Sequence, residues 1–246
     1  MSELETLQKW IDESERIVFF GGAGVSTESG IPDFRSQDGL YNQEYKYPPE
    51  TIVSHSFYRA NPKEFYRFYR NKMLMPEAQP NAAHKKLAEL EAAGKLTAVV
   101  TQNIDGLHQK AGSKTVYELH GSVMRNYCEH CHQFFDLEYM LNYKNEENGD
   151  VPLCDACGGP VKPDVVLYEE GLDDRVISGA VEAISHADML IIGGTSLVVY
   201  PAAGFINYYH GNKLVLINKS ETSVDSRANL VIHDPIGQVL GQIKVR

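Results

Sequence analysis

Four cysteines stand as two C-x-x-C pairs, Cys128 with Cys131 and Cys154 with Cys157, and residues 132–153 separate the pairs. Each pair can set two thiolates on one tight turn, and two such turns complete a tetrahedral sulfur cage of the kind that holds zinc. Gly158 and Gly159, after the second pair, suit that turn. A redox C-x-x-C explains one pair but not two. Four protein ligands leave no open coordination position, so the spacing predicts one structural zinc ion on Cys128, Cys131, Cys154 and Cys157. His130 and His132 are read as surface residues, because four sulfurs already satisfy the metal.

Further polar groups follow short apolar runs. Gly22-Ala23-Gly24-Val25-Ser26-Thr27 follows the run Arg16–Phe20. Glycines there let the backbone approach a pyrophosphate, and the N-terminus of a following helix would favour negative charge. The stretch departs from the dehydrogenase fingerprint, because Thr27 replaces the third glycine and Asp38, the nearest acid at the ribose-binding distance, lies in an aperiodic segment. Thr101-Gln102-Asn103-Ile104-Asp105 follows the run Leu96–Val100, and Gly193-Gly194-Thr195-Ser196 follows Met189–Ile192. Open α/β sheets bind ligands beyond the carboxyl ends of their strands, so these side chains face the expected cleft. Leu119-His120-Gly121 sets an imidazole beside a glycine, a candidate general base near neutral pH. One histidine among nine carries little by itself.

The elements that must position these groups are short. Ser2 and Glu5 have capping-box spacing before a helix whose Leu4, Leu7 and Ile11 share a face. Helices are expected over Lys63–Met73, from Asn81 to near Gly94, and over Asp174–Ser185; Lys213–Ile217 and Leu230–Ile232 read as strands before a short C-terminal helix. Pro32 to Pro49 reads as a long ordered loop, which in a compact domain is usually functional. Strands of this length alternating with helices give an α/β fold, a Rossmann-like parallel sheet with helices on both faces. The 246 residues are expected to make one domain, with the large part over about 1–32, 81–121 and 165–246. A helical and loop insert occupies about 33–80, and a small inserted zinc-binding module about 122–164. A net charge of -10 argues against direct nucleic-acid binding and leaves room for a basic peptide. No segment has the length of a signal peptide's apolar core or of a membrane span, so a cytoplasmic protein is expected, and compactness without long tails suggests a monomer.

Taken in chain order, these groups resemble the sirtuin family. Gly22–Ser26 and Gly30-Ile31-Pro32-Asp33-Phe34-Arg35 are similar to its first cofactor loop. Thr101–Asp105, His120-Gly121, the two C-x-x-C pairs, Gly194-Thr195-Ser196-Leu197 and Asn218 then follow in the family's order. The resemblance implies an NAD-dependent protein-lysine deacetylase. NAD would lie along Gly22, Ala23, Gly24, Ser26, Thr27, Gln102, Gly194, Thr195 and Ser196, with nicotinamide pressed near Ile31, Asn103, Ile104 and Asp105. The acyl-lysine carbonyl oxygen would attack C1' of the nicotinamide ribose and nicotinamide would leave. His120 would be the catalytic general base, acting through the ribose hydroxyls, and hydrolysis would give free lysine and O-acyl-ADP-ribose. Phe34 would shield the reacting face, and Asp33 and Arg35 would fix the loop and the phosphates. Asn218 would contact the adenosine ribose and Asp234 would lie by the adenine.

The segment Lys162–Tyr168 resembles the strand on which sirtuins lay the acyl-lysine substrate as an extra extended strand, with contacts expected at Val165, Val166, Tyr168 and Val199. Two departures from the family stand out. Tyr168-Glu169-Glu170 replaces the usual Phe-Gly-Glu, adding negative charge beside the lysine tunnel. Members that remove acidic acyl groups carry Tyr-x-x-Arg where this chain has Tyr66 and Tyr69, so neutral acyl groups such as acetyl are expected. A sirtuin-like protein ADP-ribosyltransferase is the alternative within catalysis. A zinc-ribbon interaction module on a degenerate nucleotide domain would require lost catalytic residues, whereas Asn103, Asp105 and His120 are all present.

Overall fold

Nine strands build two sheets in a computed structural model that describes residues 2–33 and 46–245. They are β1 (Ile17–Gly21), β2 (Leu96–Thr101), β3 (Val116–Glu118), β4 (Gly121–Cys128), β5 (Phe134–Phe135), β6 (Val161–Val165), β7 (Met189–Gly193), β8 (Leu214–Ile217) and β9 (Leu230–Ile232). Six of them run parallel in the order β3-β2-β1-β7-β8-β9. The chain steps outward from β1 to β3 on one side, then returns at β7 on the other side of β1. That reversal opens a crevice beyond Gly21 and Gly193, where sheets of this order bind their ligands.

Alternation along the buried strands feeds two cores. Ile17 and Phe19 pack with Leu7, Ile11, Leu87, Leu90 and Leu240 on one face, while Val18 and Phe20 pack with Ala180, Ile184 and Phe205 on the other. The covering helices begin where the sequence supplies caps. Ser2 accepts from Glu5 N while Glu5 accepts from Ser2 N at 2.7 Å, starting the helix Glu3–Glu13. Asn81 caps Ala82–Ala92, and Asp173 caps Asp174–His186.

Residues 122–164 and the helical segment do not pack as two separate bodies. Phe57, Phe65, Tyr66 and Tyr69, from helices at His55–Ala60 and Pro62–Phe68 and the π-turn Tyr69–Met73, share a third core with Val123, Met140, Val161 and Val165. This small lobe contains the antiparallel sheet β5-β4-β6. β6 overlaps the strand expected over Lys162–Tyr168, whereas β4 has no local signal because an irregular bulge breaks its two-residue alternation. Most of the loop expected over Pro32–Pro49, including Phe34 and Arg35, lies outside the described residues.

Candidate active site

Two glycine-containing loops meet at the switch point. Gly24 N donates to Gly194 O at 2.8 Å, and Gly22 N to Gly193 O at 3.3 Å. A Cβ on Gly24 would meet the Gly194 Cα at 2.8 Å, so the main chains touch only because neither carries a side chain. The expected α-helix after this loop is absent: residues Ala23–Val25 and Thr27–Ser29 form two single 3-10 turns. No long helix dipole stands directly behind this loop; its local groups are the amides and hydroxyls of the two turns.

Beyond these loops opens a cavity of about 1330 Å³, larger than the ~300–1,000 Å³ of an ordinary small-molecule site. It has room for a dinucleotide and part of a second substrate. Ala23, Gly24, Ser26, Thr27, Ile31 and Asp33 line it, together with Gln102, Asn103, Ile104 and Asp105. Gly194, Thr195, Ser196, Asn218 and Asp234 line it from the far side. Gly22 stands behind the wall, against Thr195. Val165, Val166, Tyr168 and Val199 line it as well.

The polar residues are tied to one another. Ser26 Oγ donates to Asp105 Oδ2 at 2.6 Å and accepts from Asn103 Nδ2 at 3.1 Å. Asp105 Oδ1 accepts from Leu107 N at 2.9 Å, which fixes the carboxylate at both oxygens. Asn81 Nδ2 donates to Val25 O at 2.8 Å and to Ser29 Oγ at 3.0 Å, pinning the first loop to the helix that Asn81 caps.

His120 sits at the carboxyl end of β3, partly buried, with Nδ1 3.0 Å from Gln102 O. A carbonyl oxygen only accepts, so Nδ1 carries the proton and Nε2 keeps its lone pair. Burial lowers the pKa of His120, against the opposing pull of the Gln102 carbonyl. The ring is held neutral at pH 7 and is ready to accept a proton.

The four cysteine sulfurs lie within 4.8 Å of one another, with Sγ separations of 3.4 Å for Cys128–Cys157 and 3.6 Å for Cys131–Cys154. These are far beyond a disulfide's ~2.05 Å. They approach the ~3.8 Å edge of a tetrahedron with ~2.3 Å metal–sulfur bonds. His130 N and Cys131 N both donate to Cys128 Sγ, at 3.4 and 3.5 Å. His130 and His132 are exposed, and none of the four cysteines lines the cavity. The cage fits one zinc ion with a structural role.

One expectation about the substrate end is corrected. Tyr66 and Tyr69 are fully buried in the small-lobe core and do not line the cavity. Tyr66 is held there by its hydroxyl, which donates to Val161 O at 2.5 Å. Glu169 and Glu170 do line the cavity, and both are anchored: Glu169 accepts from Ser56 N at 2.8 Å and Ser56 Oγ at 2.9 Å. Glu170 accepts from Lys162 Nζ at 3.2 Å and lies 2.8 Å from His55 Nδ1. Sequence reasoning missed Met73, Met75, Met124, Glu118 and Arg125, which also line the cavity. Their residue types carry no signal apart from the fold.

A family model described as the Sir2 family matches residues 22–201. A protein of Clostridium acetobutylicum named NAD-dependent protein deacetylase is 61% identical over 242 residues, covering 98% of this chain and 97% of the relative. A solved Sir2 structure with a p53 peptide and NAD is similar with a TM-score of 0.84 and 40% identity, over 98% of this chain and 96% of that one. Another, a Sir2 variant with deacetylated p53 peptide and 3'-O-acetyl ADP ribose, has a TM-score of 0.87 and 38% identity, over 97% and 96%.

Proposed function

This chain belongs to the Sir2 family and is an NAD-dependent protein deacetylase, and we propose that His120 is its general base and Val165–Tyr168 the edge that receives the acyl-lysine peptide. NAD supplies the electrophilic ribose carbon to which the acetyl oxygen is transferred; the products are nicotinamide, O-acetyl-ADP-ribose and free lysine. Everything else falls to the chain's own residues.

The observation that carries the reading is the 3.0 Å contact from His120 Nδ1 to Gln102 O. It sets the tautomer and leaves Nε2 as a base facing the cavity, between the Gln102–Asp105 segment and β6. General bases work best with a pKa near the working pH, and a neutral, partly buried imidazole meets that need. The Ser26–Asn103–Asp105 network gives the nicotinamide end rigid polar walls, and the paired glycine loops admit the pyrophosphate close to backbone amides. Asn218, beyond β8, and Asp234, after β9, are assigned to the adenosine half, and Ile31 and Asp33 to the nicotinamide side. Phe34 and Arg35 keep the cofactor-loop roles that the family motif implies. The peptide edge is supported by the hydrogen bond from Val166 N to His120 O at 3.0 Å, which joins that strand directly to the base.

A reduced four-sulfur cage persists in a reducing compartment, and this supports the cytoplasm as the site of action. Nicotinamide release, measured with NAD alone and with NAD plus an acetyl-lysine peptide, tests the function. Release that requires the peptide, with O-acetyl-ADP-ribose among the products, is expected. ADP-ribose attached to protein instead would favour the transferase reading.

A further inference from the structure

We propose that Arg125 is a positioning residue that holds the peptide-binding strand β6 at a fixed distance from His120, through a bulge in β4. The inference rests on the assignment of His120 and of Val165–Tyr168 above.

The bulge is read from the pairing. Ser122 faces Asp164 and Asn126 faces Pro163, so Val123, Met124 and Arg125 have no counterparts on β6. Bulges of this kind re-aim side chains and recur beside active sites. Each of the three residues reaches a different part of the site. Val123 N donates to Ile104 O at 3.0 Å, tying the bulge to the nicotinamide segment. The Met124 side chain lies over Gly106, where a Cβ would stand 3.0 Å from its Cγ. Arg125 donates from Nη1 to Glu118 Oε2 at 2.7 Å and from Nε to Asp164 Oδ2 at 2.9 Å.

That last pair of bonds spans three strands. Glu118 ends β3, two residues before His120; Asp164 belongs to β6, one residue before the peptide edge. A planar guanidinium can hold both carboxylates in one fixed geometry, which a lysine cannot. The hold is needed because β6 comes very close to the base. Gly121 has φ +72, and a Cβ on it would stand 1.9 Å from Asp164 O. One tether sets this approach from the β3 side and another from the β6 side, and both run through Arg125.

A simpler role would be to neutralise Glu118, whose side chain is only 7% exposed. The two roles separate in a variant set: Arg125→Met, Asp164→Ala, and the pair Glu118→Gln with Arg125→Met. Steady-state kinetics with acetyl-peptide and NAD varied separately, together with thermal melting, provide the readouts. Arg125→Met should raise the peptide KM about tenfold, the equivalent of one charge-assisted hydrogen bond, with the KM for NAD within about twofold of wild type. Asp164→Ala, which cuts only the β6 tether, should raise the peptide KM likewise. The double variant should recover the melting temperature while keeping the raised peptide KM. A wild-type peptide KM in Asp164→Ala, or its recovery together with stability in the double variant, would overturn the positioning role. If Arg125→Met does not fold, Asp164→Ala and the double variant decide the matter by the same criteria. Peptide-independent nicotinamide release by the wild type would count against the function and not against Arg125.

Discussion

At His120, residue type, tautomer and burial act together. Alanine there removes the proposed base without touching the loops that meet at Gly24 and Gly194, so deacetylation should fall by ~10²–10⁴-fold while NAD binding, read by calorimetry, stays near wild type. Turnover close to wild type would move the base elsewhere. The acyl preference also belongs to this scale, although its basis differs from the sequence expectation. Tyr69 does not face the cavity, and the nearby arginines are engaged: Arg67 pairs with Glu64, and Arg70 donates to Met140 O at 2.9 Å and Asp150 O at 2.6 Å. No guanidinium of this helix is placed to receive a buried carboxylate, and an unpaired one is costly. On one peptide, acetyl should therefore give a higher kcat/KM than succinyl at the same lysine. A succinyl value equal or higher would assign the task to Lys72, which lines the cavity.

Elements carry what single residues cannot. The cysteine spacing made the cage legible in the sequence, because the chemistry of four thiolates dictates the turns around them. The glycine loop was legible in place but not in form. A helix was expected after Gly22–Thr27, yet Asn81, from a distant helix, supplies the support that such a helix would have given. That contact spans more than fifty residues and leaves no local pattern. The zinc cage joins the end of β4 to the turn before β6 and lies outside the cavity. Chelation should release one zinc and unfold the small lobe, with activity lost as a consequence. Hydrogen exchange is expected to rise across β4–β6 while β1 and β7 keep their protection. Retained activity in metal-free, fully protected protein would contradict a structural role.

Across the whole molecule, most of the large sheet was legible because its strands are continuous apolar runs; β3, β4 and β5 were not, because their burial depends on partners distant in sequence. The same tertiary burial creates an acid sensitivity that no local pattern announces. His84 and His108, 0% and 1% exposed, meet with ring centroids 4.7 Å apart and planes tilted by 59°, between the helices Ala82–Ala92 and Leu107–Ala111. His84 Nδ1 accepts from Asn81 N at 3.3 Å, and among the described residues neither nitrogen of His108 has a hydrogen-bond partner. Burial lowers His84 to about 4, opposed by Asp105, and lowers His108 to about 3, aided by His84. Both are depressed below the unfolded value of 6.5. Below pH 6.5 the unfolded chain therefore binds protons that the folded chain refuses, so stability is present above that pH and is lost as pH falls toward 4 and 3. His120 pulls the same way, whereas the raised pKa of exposed His233 pulls against it. Glu170, lowered from 4.5, loses its contribution only at more acid pH. From pH 7 to pH 5 each buried histidine should cost roughly 2 kcal/mol of stability. Urea unfolding at pH 7, 6 and 5 should show this loss in the wild type. His108→Leu should shed about half of the buried pair's share, since one titrating ring remains. Identical pH slopes in the two proteins would mean that the acid sensitivity arises at other groups.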